Sequence, residues 1–384
     1  MDNRFVTAAV GVPRIRVADC AYNAAQIVGL MRQAAEQGVK LLVLPELCIT
    51  GSTCGDLFWQ DTLLDGAWDG LEVIAAASRE LELLTVVGLP MKGEGGIYNC
   101  AAVVYGGAAR AFAVKRALTL EQRRWFLPGD GDEKPFFCSL LPGVTMAVDF
   151  GGERGSRADL ILSPAADPEW CGRGNSRRSE LLRRSEAEGC VILRATAGEG
   201  ESTTDEVYGG HSLIVSRGRL LAERRFETGL AVCAVELNKA EPRKYCRKED
   251  TPEESLSAAP FLPKTQAGLE EILTIAALGL KKRLEHTGAP TVVIGLSGGL
   301  DSTLAILTVA RAFDLLGRPR SGIIAITMPC FGTTRRTRSN AEKLAEELGA
   351  QLRVVDITAS VRRHFEDIGH QCLLGNFFCG VLVQ

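Results

Sequence analysis

Residues 291–307, TVVIGLSGGLDSTLAIL, hold the densest chemical signal in the chain. An apolar run delivers Gly295-Leu296-Ser297-Gly298-Gly299 into Leu300-Asp301-Ser302, where a helical pattern begins. Glycines lack a Cβ, so backbone N–H groups can close on a ligand. Ser297 and Ser302 add hydroxyl donors, and a helix N-terminus adds partial positive charge. That set suits an oxyanion or a pyrophosphate. It is not a Walker A loop, because no Gly-Lys-Ser/Thr is present, and its spacing is not G-x-G-x-x-G. Phosphate would repel Asp301 unless a cation stood between them, which assigns Asp301 to Mg²⁺. The bland alternative is a glycine turn that only joins a strand to a helix.

Two more groups lie in the first half. In LPELCITGSTCGDLF (44–58), Glu46 ends an apolar run. A carboxylate there can serve as general base if burial raises its pKa. On spacing alone, a satisfied structural carboxylate is the favoured reading. In AFAVKRAL (111–118), Lys115 ends a β-like run, and a lone lysine says little by itself. A third stretch, GVTMAVDFGG (143–152), reads as an apolar strand entering a turn, with the methyl group of Ala147 near its centre.

The elements that must carry these residues fall into two sets. Up to about residue 237, short apolar runs alternate with helical patterns. Strands are expected at 5–11, 40–46, 84–90, 98–105, 143–150, 159–165, 190–196, 211–216, 219–226 and 230–237, and a helix at 23–38. Several runs are wholly apolar, as strands covered on both faces are, so the density of elements predicts a layered α/β sandwich. Residues 241–265 are charged and proline-rich without a sustained period, and read as a linker. Beyond them helix and strand alternate: helix 266–288, strand 291–296, helix 302–316, strand 321–327, helix 336–348, strand 351–356. That is a doubly wound, Rossmann-like pattern. The expected domains are 1–240, a linker 241–265, and 266–384.

The chain has 384 residues, 24% of them charged, with net charge −3. Nothing in that balance favours nucleic acid or an anionic membrane. The Arg177-Arg178 pair reads as a solvated helix face or loop. The twelve cysteines form no C-x-x-C and there are only four histidines. Zinc-type spacing is therefore absent. Cys48, Cys100, Cys190 and Cys233 sit in apolar stretches and read as small hydrophobes, which favours a reducing cytoplasm over a disulfide scaffold. No signal peptide or membrane span is expected.

The Ser297-Gly298-Gly299-x-Asp301-Ser302 loop resembles the PP-loop of the ATP pyrophosphatases, which adenylylate a substrate and release pyrophosphate. AITMPCFGTTRRTRSNAEKLAEELG (325–349) is similar to the matching segment of the glutamine-dependent NAD⁺ synthetases. That resemblance implies ATP and Mg²⁺, with Thr327 and Met328 against the adenine. The first half resembles the carbon–nitrogen hydrolase (nitrilase) superfamily. PELCITGSTCGDLF, EQRRWFLPGD and GEGESTTDEVYGGHSLIV look closest to the glutaminase domain of the same synthetases. The implied fold class is α/β: an N-terminal α-β-β-α nitrilase-like sandwich, then part of a Rossmann-like parallel-sheet domain of the adenine nucleotide alpha hydrolase type. The implied roles are general base for Glu46 and anion stabiliser for Lys115. The implied partners are deamido-NAD⁺ with glutamine or ammonia, in a homo-oligomer, without nucleic acid or membrane.

Two departures from the family pattern stand out. Its G-V-E-I-C-E-D-L-W, laid on the chain from Gly143 through Phe150, turns the nucleophilic cysteine into Ala147 while Asp149 stays. Ala147 is expected to face Glu46 and Lys115 with no thiol to offer. Cys138 and Cys171 are the candidates for a displaced nucleophile, while Cys48 and Cys54 read as packing. After His370 the sequence QCLLGNFFCGVLVQ matches nothing in the pattern and reads as a truncation or a frameshift. The expected function is NAD⁺ biosynthesis by ATP-dependent amidation of deamido-NAD⁺, with an impaired glutaminase. The alternative is a non-catalytic remnant acting structurally.

Overall fold

A computed structural model describes residues 5–130, 135–151, 158–237, 262–263, 265–331 and 335–369, for 335–338 the backbone alone. The linker expected at 241–265 (apart from 262, 263 and 265) and the sequence after Gly369 lie outside the described residues. The chain divides into two compact units, Met1–Ile275 and Ala276–Gln384.

The first unit contains β1 (Phe5–Val12), α1 (Cys20–Glu36), β2 (Leu41–Val43), α2 (Asp61–Ala77), β3 (Leu84–Gly93), β4 (Gly96–Tyr105) and β5 (Ala108–Val114). There follow β6 (Phe136–Cys138), β7 (Leu141–Val148), β8 (Leu160–Ala165), α3 (Arg173–Glu188), β9 (Val191–Thr196), β10 (Ser212–Ser216), β11 (Arg219–Arg224) and β12 (Gly229–Glu236). They form two six-stranded sheets, ordered β12-β1-β2-β3-β4-β5 and β11-β10-β9-β8-β7-β6. Strand periodicity explains the layers. Val6, Ala8 and Val10 of β1 point with Met146, Val148 and Leu193 into one core between the sheets. Ala9 and Leu42 point the other way, onto Ile27 and Met31 of α1 and Leu71 and Ile74 of α2. Ile161 and Ile192 of the second sheet pack on Leu181 of α3. This is the expected α-β-β-α sandwich.

Helix α1 starts where Asp19 accepts a hydrogen bond from the Tyr22 N–H at 3.1 Å, and the chain turns out through Gly38 at φ +72°. Each fully buried Leu or Ile on these faces contributes about 1.5–3 kcal/mol. Helices α2 and α3 were not among the elements expected from the sequence. The expected strands lie within a few residues of the observed ones.

The second unit holds the remainder of α4 (Gln266–Thr287), then β13 (Val292–Gly295), α5 (Leu300–Leu315), β14 (Ile323–Thr327), α6 (Arg335–Leu348), β15 (Gln351–Val354) and α7 (Thr358–Asp367), the last not expected. The three strands are parallel in the order β13-β14-β15. Ile294, Ala325 and Leu352 share the face that packs on Ile306, Val309 and Phe313 of α5 and Ala341 and Ala345 of α6. Val293, on the opposite face, is 62% exposed. The division falls inside α4, whose Glu271 pairs with Arg225 at 2.6 Å and accepts from the Gly172 N–H at 2.9 Å.

Candidate active site

Glu46 leaves the end of β2 and its N–H reaches the Ala165 carbonyl at 3.3 Å. The next residue, Leu47, takes a left-handed backbone at φ +52°, a costly conformation for a branched side chain. The turn lies so close to β3 that a Cβ on Gly88 would come within 2.2 Å of Leu47 N and 2.7 Å of Pro45 O. Only glycine fits there. Lys115 leaves β5 and is held by its own N–H on the Asn99 carbonyl at 2.8 Å. Its Nζ donates to both Glu46 oxygens at 2.8 Å. Both side chains are buried, at 1% exposure for Glu46 and 9% for Lys115.

Two more donors converge on Glu46 Oε1: Asn99 Nδ2 at 2.6 Å and Gln122 Nε2 at 2.8 Å. A carboxylate only accepts, so both amides must turn their nitrogen toward it. Asn99 Oδ1 is left buried without a hydrogen-bond partner. Leaving an acceptor unpaired costs about 1–3 kcal/mol. The sequence singled out Glu46 and Lys115, which the structure brings together, and did not single out Asn99 or Gln122. The available signal for Asn99 was a lone amide inside the apolar run 98–105. Glu201, in the block 198–215, holds the loop after Glu46. It accepts from the N–H groups of Ser52 at 2.7 Å and Thr53 at 3.2 Å. Burial raises the pKa of Glu201.

Ala147 does not take the expected orientation. Val144, Met146, Val148 and, beyond β7, Phe150 pack in the core between the sheets. Strand alternation therefore turns Thr145, Ala147 and Asp149 toward α3. Ala147 is paired with Ile161, which packs on Leu181 of α3, and Asp149 pairs with Arg184 of α3. From this segment it is Phe150 that approaches the ion pair, its ring centre 5.9 Å from Lys115 Nζ. Among the described residues no cysteine sulfur makes a hydrogen bond to Glu46 or Lys115. Cys48 Sγ lies on the Gly88 carbonyl and Cys54 Sγ on those of Thr50 and Gly51. Burial pushes both thiols up to about 12, so neither supplies a thiolate near neutral pH. Cys171 Sγ lies on the Gly268 carbonyl, away from the pair. Cys138 Sγ accepts from the Leu140 N–H.

Arg177 also departs from expectation. It is 1% exposed, not solvated. Its Nη1 bridges Glu169 at 2.9 Å and His211 Nδ1 at 2.8 Å, while His211 Nε2 meets Glu223 at 2.6 Å. Arg177 can only donate and Glu223 can only accept, which defines a neutral His211 with its proton on Nε2. Burial, then the Arg177 and Arg225 charges, outweigh Glu223 and lower the His211 pKa to about 4. Sequence periodicity gives helical spacing, but it cannot show that acidic partners wait on the buried side.

In the second unit the PP-loop-like residues lie together between β13 and α5. Leu296 is buried and its N–H continues the ladder to the Ile326 carbonyl at 2.8 Å. Gly298 takes φ +79°, and Gly299 caps α5 in an extended conformation. The Ser297 and Ser302 hydroxyls meet at 3.0 Å, and Ser297 Oγ accepts from the Gly299 N–H at 3.3 Å. Leu300, Asp301 and Ser302 fall in the first turn, where N–H groups have no helical acceptor. Helix α5 thus begins at Leu300, two residues before the expected 302. Thr327 ends β14 and is buried, while Met328 is 50% exposed beside Gly295. Asp301 makes no ion pair among the described residues and lies exposed at the loop mouth.

Residues 6–141 match the Carbon-nitrogen hydrolase family and residues 272–377 the NAD synthase family. The glutamine-dependent NAD(+) synthetase of Mycobacterium tuberculosis (strain ATCC 25618 / H37Rv) is 32% identical over 438 residues, which cover 97% of this chain and 64% of that protein. That of Aquifex aeolicus (strain VF5) is 24% identical over 383 residues, covering 91% and 65%. This chain therefore spans somewhat under two thirds of those relatives. Among solved structures, glutamine-dependent NAD+ synthetase from Acinetobacter baumannii in complex with ADP has a TM-score of 0.78 at 19% identity, over 95% of this chain and 67% of that one. An amidase from Nesterenkonia sp. has a TM-score of 0.52 at 24% identity, over 62% of this chain and 93% of that one. These structural likenesses bear on fold alone. Among the described residues no helix is long and apolar enough to cross a membrane. The two family matches, in this order and on these two folds, identify the chain as a carbon-nitrogen hydrolase-type domain followed by an NAD synthase-type domain, similar along its length to the glutamine-dependent NAD(+) synthetases.

Proposed function

We propose that this chain belongs to NAD biosynthesis as a ligase of the glutamine-dependent NAD(+) synthetase type, with an impaired glutaminase half. The reaction is ATP-dependent amidation of deamido-NAD⁺ through an adenylylated carboxylate, with ammonia as the nitrogen source. The observation that carries this reading is the Ser297-Gly298-Gly299 turn at the N-terminus of α5, inside the NAD synthase match. The first-turn N–H groups and the Ser297 and Ser302 hydroxyls would hold the pyrophosphate part of ATP. Thr327 and Met328, at the end of β14, would border the adenine. Asp301 fits a Mg²⁺ site, being an exposed carboxylate with no ion-pair partner among the described residues. That cation, when bound, would neutralise phosphate charge. The family's homo-oligomeric assembly and cytoplasmic location are part of the same proposal.

The impaired glutaminase rests on the Glu46–Lys115 pair, which meets no cysteine among the described residues. On this reading Glu46 would act as the base and Lys115 as the anion stabiliser, but a thioester needs a thiolate beside them. The test uses the full chain with Mg²⁺-ATP and deamido-NAD⁺. Ammonium should support release of AMP and pyrophosphate, and glutamine should not. Equal turnover with glutamine would sink the impaired reading. Failure to bind ATP by calorimetry would sink the PP-loop assignment and favour a structural remnant.

A further inference from the structure

Gln122 places a primary carboxamide on the carboxylate that an amide-processing site would use as its base. Its Nε2 donates to Glu46 Oε1 at 2.8 Å. Its own Oε1 accepts from the Thr119 N–H at 3.2 Å, and the Gln122 N–H returns a bond to Thr119 Oγ1 at 3.2 Å. Both ends of the amide are therefore paired, nitrogen to an acceptor and oxygen to a donor, which fixes its orientation. Glu46 Oε1 then carries three donors, from Asn99, Lys115 and Gln122. With donors at 2.6–2.8 Å already crowded around this oxygen, a further donor would have to displace one of them.

The three donors are not equally replaceable. Asn99 is fully buried in β4, and Lys115 is buried at the end of β5. Gln122 sits half-buried on a single 3-10 turn, Gln122–Arg124, outside both sheets. Of the three donors Gln122 is the one only partly buried, so it is the one a group arriving from solvent would displace. What stands in that place is the functional group that free glutamine or any R–CO–NH₂ compound carries.

We propose that Glu46 Oε1 and the Thr119 N–H form a binding seat for a primary carboxamide, and that this chain fills the seat with its own Gln122. The inference rests on reading the Glu46–Lys115 pair as an amide-handling site. It adds a second block beyond the missing thiol: the substrate's own place is occupied. Restoring a cysteine nearby would not by itself admit an amide.

Deleting the side chain should empty the seat, and an added amide should then refill it. The probe is acetamide, titrated against the full chain and against Gln122→Ala and Gln122→Gly. The readout is thermal unfolding followed by tryptophan fluorescence. Trp125, three residues from Gln122, stacks edge-on to Trp59 at 4.8 Å and reports the same turn. At ten times its Kd, acetamide should shift the folding equilibrium of the variants about elevenfold and leave the natural chain unmoved. N,N-dimethylacetamide, which has no N–H to give Glu46, should do nothing. An equal response of the natural chain, an equal effect of dimethylacetamide, or no response in folded variants would each overturn the proposal. Should either variant fail to fold, Gln122→Ser takes its place. Acetamide binding does not involve ATP, so this test can fail while the ligase reading stands, and the reverse.

Discussion

Replacing Lys115 by methionine removes one partner of a buried ion pair and keeps its bulk. Glu46 then loses two charge-assisted hydrogen bonds of 2.8 Å and keeps those of Asn99 and Gln122. Bonds to charged groups are worth about 1.5–3 kcal/mol each. Breaking a buried pair from one side costs about 3–5 kcal/mol, because the remaining charge stays desolvated. The two routes agree on roughly 3–5 kcal/mol. All four tryptophans (59, 68, 125 and 170) lie in the first unit. Urea unfolding followed by tryptophan fluorescence therefore reads that unit alone. With a slope of about 3 kcal/mol/M, the midpoint should fall by about 1–1.7 M. Glu46→Gln alone strands the Lys115 charge and should cost a similar amount. The double variant, Glu46→Gln with Lys115→Met, keeps an acceptor for both amides and removes both charges. It should recover most of the loss, with a coupling of about 3 kcal/mol. A single-variant cost under about 1 kcal/mol, additive in the double, would show a solvent-screened pair and refute the reasoning.

Gly88→Ala forces a methyl onto the backbone of the Glu46 turn, where atoms lie 2.2–2.7 Å from its place, and should cost about 3 kcal/mol or more in the same urea assay. His211 is held neutral, with its pKa at about 4 against 6.5 in its ordinary state. The unfolded chain takes up the proton first as pH falls. Stability should therefore drop across pH 6.5 to 4 by about 3 kcal/mol, and His211→Gln should flatten that slope. Cys48, Cys54, Cys100 and Cys190, raised to about 12 by burial, should resist iodoacetamide at pH 7.5 in the native chain and react on unfolding, as peptide mass mapping would show. Asp301→Asn should weaken ATP binding at least tenfold with Mg²⁺ present and far less without it, measured by calorimetry; equal weakening in both conditions would remove Asp301 from the cation site.

Much of this molecule was legible in the residues alone, for reasons of period and type. Alternating apolar runs carried the two-sheet sandwich, because a strand between two layers must be apolar on both faces. The Ser297-Gly298-Gly299 turn could be placed because its glycines and its strand-to-helix setting are local properties. Glu46 and Lys115 could be proposed as a pair only through resemblance, since nothing local links positions 69 residues apart. Which neighbours complete that pair was settled by register and layer. Asn99 reaches Glu46 because β3 lies between β2 and β4 in the sheet, and Gln122 because the chain after β5 folds back over the pair. Ala147 shows the limit most plainly. Its place in the motif followed from the sequence, but side chains on a strand alternate, and only the packing of β7 between the inner core and α3 decides which face each one takes.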